Sequence, residues 1–239
     1  MSNDEHNGLE KNIKNLIVGV NSLAGLFYSY IKSSHDVVTL NSQVNRDVLN
    51  NQVAQRQLFF HYQTLKNQKL PLPRFEDTGF RIYSQSDEDG LLLYIFSHVG
   101  FTNKLCVDMA FNSPYGANTT NLILNWGFMG LLVEGKDIAE SKRFFESHRD
   151  TWVFPPKVVQ AWITDKNVND LCKDNGITGE IDLFSLDMDS VDFLVWKALN
   201  VIQPRVVVLE IQAVWGANRS VTIPNKEKPR EIHPDYYGA

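Results

Sequence analysis

Hydrophobic residues recur at helical spacing through the first part of the chain. From Leu9 to Tyr30 the apolar positions alternate spacings of four and three residues, and the register continues to Leu65 with polar residues interrupting its middle. A sustained spacing of about 3.5 residues is typical of helices that pack against other helices. The pattern therefore predicts one long helix, or two helices that break near residues 33–36.

Two prolines end this pattern. Pro71 and Pro73 stop helix propagation, because proline lacks a backbone N–H and clashes with the preceding turn. We therefore predict an N-terminal α-helical arm over residues 1–70, a linker over 71–79 and an α/β domain over 80–239.

The arm has three interpretations. A coiled coil or helical hairpin would make the protein a homo-oligomer, and this is the one we favour; a helical layer packed on the chain's own domain is the second. Contact with a membrane is the third, because residues 15–31 carry no charge. That stretch contains Gly19 and Gly25 and is shorter than the roughly 20 residues that a spanning helix needs. We therefore expect no membrane span.

After residue 80 the pattern changes to short apolar runs separated by helix-compatible segments. The runs predict strands at 105–109, 130–133, 158–163, 181–186 and 206–211. The intervening segments predict helices around 118–126, 137–148, 166–175 and 191–201. Such alternation indicates a parallel sheet with helices on both faces, and continuously apolar strands fit burial on both faces.

Most of the predicted strands end on an acidic residue. Ligands bind at the carboxyl ends of the strands in sheets of this class, so these acids are candidate site residues. They are Asp108, Glu134, Asp165, Asp187 with Asp189, and Glu210. A carboxylate at that edge can accept hydrogen bonds from ribose hydroxyls, ligate a metal or take a proton.

Two of these positions carry the sharpest expectations. Glu134 ends the second strand, where an acid hydrogen-bonds the ribose hydroxyls of an adenosine-containing cofactor; a helix cap or a solvated turn is the alternative. Asp187, Asp189 and Asp192 lie close enough to raise one another's pKa values, which suits a general base or a divalent metal with oxygen ligands. Alternatively, Asp189 and Asp192 merely cap the next helix. We do not favour the metal.

Composition narrows the class of protein. With 43% hydrophobic residues the chain can bury a sizeable core, and its net charge of −5 argues against nucleic acid as the main partner. Its two cysteines form no disulfide framework or metal spacing. The N-terminal MSNDEHNGLEKN has no basic stretch followed by an apolar core, so we expect no signal peptide and a cytoplasmic location.

Taken together, several motifs resemble a known family. In chain order they are YSQSDEDG, VDMAFNSPYGANTTNLI, GLLVEG, IDLFSLDMDSVDFLVWKAL and RVVVLEI. This set resembles the FkbM-like group of class I S-adenosylmethionine-dependent methyltransferases, over residues 80–239. The resemblance implies a Rossmann-like sheet in the order 3-2-1-4-5, with the methyl donor across the first two strand ends. It also implies O-methylation of a hydroxyl, often on a saccharide or glycan.

The resemblance also implies roles for individual residues. Asp108 would lie beneath the methionine part of S-adenosylmethionine, Glu134 would hold the ribose and Asp165 would flank the adenine. Asp187 would face the donor's amino group or the acceptor hydroxyl, and Asp187 or Asp189 would be the catalytic base. The remaining cofactor-binding positions implied in this way are Gln85, Glu88, Asp89, Ala110, Asn112, Gly116 and Asn118.

The sequence departs from the family pattern in two places. Small residues and glycines usually follow the acid of the first strand, but here Phe111 adds bulk and Pro114 removes an N–H. Only 29 residues follow Glu210, so we expect the family's final antiparallel strands to be missing. The alternative function is therefore a non-catalytic binding protein with a self-associating arm. A nicotinamide-dependent oxidoreductase is disfavoured, because Gly-x-Gly-x-x-Gly is absent.

Overall fold

The computed structural model describes residues 51–189, 191–211, 213, 216 and 218–222. The chain divides into two units between Gln57 and Leu58. Most of the predicted arm and most of the segment after residue 211 lie outside the described residues. The expectation that the final antiparallel strands are missing falls on that last segment. Self-association through the arm and the boundary at residue 70 therefore stay predictions.

The second unit is an α/β domain with one parallel sheet. The described strands are β1 (Leu105–Met109), β2 (Met129–Glu134), β3 (Lys157–Gln160), β4 (Gly179–Leu186) and β5 (Ile202–Leu209). They lie in the order β3-β2-β1-β4-β5, which is the order that the family resemblance implied, and every neighbouring pair is parallel. Together with its helices, this order is that of a Rossmann-like fold.

Helices precede and connect these strands. A helix α1 runs over 51–67. Further helices among the described residues are α2 (Glu88–Val99), α3 (Thr120–Trp126), α4 (Ala139–Ser147), α5 (Val168–Asp174) and α6 (Asp192–Ala198), and a 3-10 turn covers Phe75–Asp77. None of the helices in the described part of the chain combines the length and apolar character that crossing a membrane requires.

Burial on both faces of the sheet explains the continuously apolar strands. Successive side chains of a strand point to opposite faces, and in β4 Leu183 packs in one core cluster while Phe184 packs in the other. In β2, Leu132 belongs to the first cluster and Leu131 to the second. Because neither face of the central strands meets solvent, hydrophobic residues are needed at consecutive positions.

An ion pair between Asp182 and Arg205 stabilises the sheet near the amino end of β1, away from the edge where the strands end. Asp182 is fully buried in β4 and accepts hydrogen bonds from the backbone N–H groups of Thr102, Asn103 and Lys104. Arg205 of β5 lies 2.7 Å from the same carboxylate. Burial alone would raise the pKa of Asp182, but these hydrogen bonds hold it below its usual value. The turn that leads into β1 is therefore anchored to β4 and β5.

The last strand differs from the sequence prediction at its start. It begins at Ile202, earlier than the apolar run that starts at Val206, because its backbone pairs with β4 from Gly179 onward. Gln203 and Pro204 interrupt the apolar pattern, so the sequence does not predict this extension. Proline is tolerated here because β5 has no second neighbour among the described strands.

Candidate functional site

The carboxyl ends of β1, β2, β4 and β5 bring the predicted acids to one side of the domain, which we call the carboxyl edge. Asp108 lies in register with Leu132 of β2 and with Ser185 of β4. The backbone N–H of Asp187 reaches the carbonyl of Met109 at 3.4 Å, which keeps the ends of β4 and β1 adjacent. Parallel pairing thus assembles at one edge acids that lie far apart in sequence.

Asp108 is a buried carboxyl group beneath this edge. The Thr119 hydroxyl donates a hydrogen bond to it at 2.7 Å. Burial raises its pKa to about 7, although hydrogen bonds from Thr119 and Ser185 oppose the shift. The Asn118 amide donates to the Ser185 hydroxyl at 3.1 Å, so Asn118 closes the same network. A cation brought close to Asp108 would favour its charged form.

Glu134 ends β2 with its carboxylate fixed in place. Its Oε2 accepts the backbone N–H of Asn112 at 2.9 Å, and its Oε1 accepts that of Lys136 at 2.9 Å. The residue is buried. A carboxylate oxygen can accept more than one hydrogen bond, so each oxygen keeps acceptor capacity for a ligand hydroxyl.

The loop between β1 and α3, residues 110–119, takes a glycine-like path without most of the glycines. Ala110 has φ 62°, Asn112 has φ 59° and Gly116 has φ 114°. Left-handed backbone is free for glycine but costs about 1–2 kcal/mol for other L-residues, with asparagine among the more tolerant. The Ala110 N–H donates to the Val133 carbonyl at 2.8 Å, which holds the loop against the end of β2.

Phe111 and Pro114, the two bulky or N–H-lacking residues of this loop, have buried side chains. Phe111 is 3% exposed and belongs to the first core cluster. Pro114 is also buried. Their side chains therefore do not fill the exposed side of the loop, where Asn112 lies.

Asp89 supports this loop from behind. Its Oδ2 accepts the backbone N–H groups of Ile82, Tyr83 and Ser84 at 2.7, 2.6 and 2.9 Å. The carbonyl of Tyr83 in turn accepts the N–H of Gly116 at 2.6 Å. With only 1% exposure, Asp89 positions the segment that holds Gly116.

Gln85 and Glu88 lie in the same turn. The side chain of Glu88 accepts the backbone N–H of Ser86 at 2.8 Å, and Gln85 is exposed. Asp165 lies farther along, in the turn 165–167 that precedes α5. Gln85 and Asp165 thus lie in loops and Glu88 is the first residue of α2, so none of the three lies in the sheet.

An acid cluster of Asp187, Asp189 and Glu210 occupies the other part of the carboxyl edge. One carboxylate oxygen from each residue lies within 4.8 Å of the others. Burial, followed by the charges of Asp187, Asp189 and Asp192, raises the pKa of Glu210 to about 7. Its Oε2 is buried and has no hydrogen-bond partner among the residues that the structure describes. The cluster can take up a proton, and its oxygens are also of the type that hard divalent cations prefer.

Asp192 lies at the start of α6 and is not one of the three residues of the acid cluster. It is 1% exposed and its Oδ1 accepts the backbone N–H of Met188 at 2.8 Å. It begins α6 and so orders the turn that follows β4. The hydrogen bond from Met188 lies in the turn before α6, whose N-cap residue is Val191, and Asp187 and Asp189 (φ 54°) belong to the acid cluster.

Sequence reasoning missed one residue at this edge, Trp162. Its indole is 72% exposed and packs against Gly135, where an added Cβ would lie 2.8 Å from the ring. The Ala161 N–H donates to the Glu134 carbonyl at 2.9 Å, which places Trp162 beside Glu134. The available signal is an aromatic residue within the third apolar run, which the sequence pattern places inside the predicted strand 158–163, whereas β3 ends at Gln160.

The left-handed loop leads to a stability prediction. Ala110→Gly should raise the free energy of unfolding by up to about 1 kcal/mol, because the strain relieved exceeds the added chain entropy. Ala117→Gly, in the same loop but without a positive φ, should lower it. Urea unfolding measures both. Equal losses in the two variants would contradict the left-handed geometry at Ala110.

The acid cluster leads to a pH prediction. The folded pKa of Glu210 is raised from 4.5 to about 7, so between these values the folded chain keeps a proton that the unfolded chain releases. Stability should therefore fall as pH rises through this window. Urea unfolding should show a shallower fall in Glu210→Gln. The control Glu180→Gln, exposed at the amino end of β4, should follow the wild type. An unchanged slope in Glu210→Gln would refute the shift.

Comparisons with known proteins add no further assignment. No family model matches the chain, and no curated protein or solved structure matches it at a significant level. The Rossmann-like fold therefore rests on the strand order, and the resemblance to FkbM-like methyltransferases rests on the motifs quoted above. What the domain does has to be inferred from the geometry of the carboxyl edge.

Proposed function

We propose that this domain is an S-adenosylmethionine-dependent O-methyltransferase that acts on a hydroxyl group of a saccharide or glycan. The observation that carries the proposal is Glu134. Its two carboxylate oxygens are held at the end of β2 with acceptor capacity to spare, beside an exposed indole. A pair of acceptors next to an aromatic face suits the ribose and base of an adenosine group.

The adenosine end of the cofactor would lie across β2 and β3. Glu134 would accept hydrogen bonds from both ribose hydroxyls, and Trp162 would pack against the adenine. Asp165, in the turn after β3, is suited to accept a hydrogen bond from the adenine amino group. Because the Trp162 ring rests on Gly135, a larger residue there would displace it.

The methionine end would lie across the β1–α3 loop. Asp108 is buried there with a pKa raised to about 7 by its burial, and a cationic amino group nearby would stabilise its charged form. Ala110, Asn112 and Gly116 shape the backbone of the loop, and Gln85, Glu88 and Asp89 hold or border the turn behind it. The residues of the β1–α3 loop and of the turn behind it therefore fit the methionine part of S-adenosylmethionine.

The acid cluster would supply the base. S-adenosylmethionine carries an already activated methyl group, so the protein has to align the acceptor and remove the hydroxyl proton. Asp187 and Asp189 lie beside Glu210, whose raised pKa suits proton uptake near neutral pH. We therefore add Glu210 to the candidate bases Asp187 and Asp189. A divalent metal held by the same oxygens remains the less favoured arrangement.

Binding of the cofactor tests the proposal. Calorimetric titration with S-adenosylmethionine and S-adenosylhomocysteine should give micromolar dissociation constants for the wild type. Glu134→Gln should weaken both by about tenfold or more, because one acceptor at the ribose becomes a donor.

The control is Glu140→Gln, an exposed acid on α4, which should bind like the wild type. Absence of binding at millimolar ligand would rule out the methyltransferase. Tight binding without methyl transfer to any saccharide would favour the alternative, a non-catalytic binding protein with a helical arm.

A further inference from the structure

The loop between α4 and β3 exposes three consecutive apolar side chains. Trp152, Val153 and Phe154 are 65%, 54% and 79% exposed. We call residues 152–154 the apolar loop. Residues 152–154 form bends, and because more than half of each side chain is exposed, the domain packs against none of the three. An exposed apolar group of this size indicates an interaction surface.

The base of the apolar loop is firmly held. The Thr151 hydroxyl donates to the Phe145 carbonyl at 2.6 Å, and the Thr151 and Trp152 N–H groups donate to the His148 carbonyl at 3.0 and 2.9 Å. On the other side Pro155 restricts the backbone and Pro156 is buried. The backbone of the apolar loop therefore has less conformational entropy to lose on binding than an unrestrained loop would have.

The charges that flank the apolar loop are mainly positive. Within residues 142–157 the exposed charged side chains are four cations and two acids: Lys142, Arg143, Arg149 and Lys157, with Glu146 and Asp150. Asp150 is already paired with Arg149 at 3.4 Å and with His148 at 3.8 Å. A local positive excess stands out in a chain with a net charge of −5.

We propose that the apolar loop docks the domain onto a membrane surface that contains anionic phospholipid. Tryptophan and phenylalanine partition well into the interfacial region of a bilayer, and nearby lysine and arginine side chains are attracted to anionic headgroups. A fluid interface can receive an exposed loop without a matching pocket. This favours a lipid surface over a protein partner.

The apolar loop and the candidate site use different residues of the β3 region. The apolar loop precedes β3 and so leads into the amino end of that strand, whereas Trp162 and Glu134 lie at the carboxyl edge. The membrane proposal rests on the apolar loop and its flanking charges and does not use the proposed methyltransferase activity.

Sedimentation with phospholipid vesicles tests the proposal on the full chain. The protein should bind vesicles of phosphatidylcholine with phosphatidylserine, bind phosphatidylcholine alone more weakly, and lose affinity as salt is raised. The double variant Trp152→Ser with Phe154→Ser should lose at least about tenfold in affinity. The control Trp162→Ser removes an equally exposed indole at the opposite end of β3 and should bind vesicles like the wild type.

Three outcomes would overturn the proposal. The first is no binding to the anionic vesicles, and the second is unchanged binding by the double variant. The third is that neither the wild type nor the double variant binds vesicles, while light scattering gives a smaller particle mass for the double variant than for the wild type. The apolar loop would then join two copies of the chain. Circular dichroism checks folding, and Phe154→Ser alone carries the same test if the double variant unfolds.

Discussion

The parallel pairing of β1 with β2 on one side and β4 on the other is the constraint on which the site depends. Parallel strands end at the same edge, so Asp108, Glu134, Asp187 and Glu210 lie along one edge of the sheet although up to about a hundred residues separate them in the chain. The Asp182–Arg205 pair fixes the opposite end of the same strands. If either pairing slipped by one residue, buried side chains would turn to the wrong face and the acids would separate.

The second constraint is local and concerns the backbone after β1. A close approach to a ligand usually demands glycine, but Ala110 and Asn112 take the left-handed conformation here while Gly116 supplies the third position. The structure around them carries the strain: Phe111 anchors the loop in the core, and Asp89 holds the segment that hydrogen-bonds Gly116. Missing glycines in a sequence therefore do not by themselves exclude a glycine-like loop.

The sequence predicted the sheet well, because doubly buried strands need uninterrupted apolar runs and these runs are easily seen. Acids at the ends of those runs were visible for the same reason. What could not be predicted depends on contacts between distant residues: the shelter of Asp182 among three N–H groups and Arg205, the support of Gly116 by Asp89, and the packing of Trp162 on Gly135. The start of β5 was missed because backbone pairing, unlike burial, leaves no hydrophobic signal at Gln203 and Pro204.

A crystal structure with bound S-adenosylhomocysteine would test the central claim most directly, namely that the carboxyl edge is an adenosine site. We expect both ribose hydroxyls to hydrogen-bond the Glu134 carboxylate and the adenine to pack against the Trp162 indole, with the amino acid part over the β1–α3 loop near Asp108. A ligand bound away from β2, or a ribose that leaves Glu134 without a contact, would contradict it.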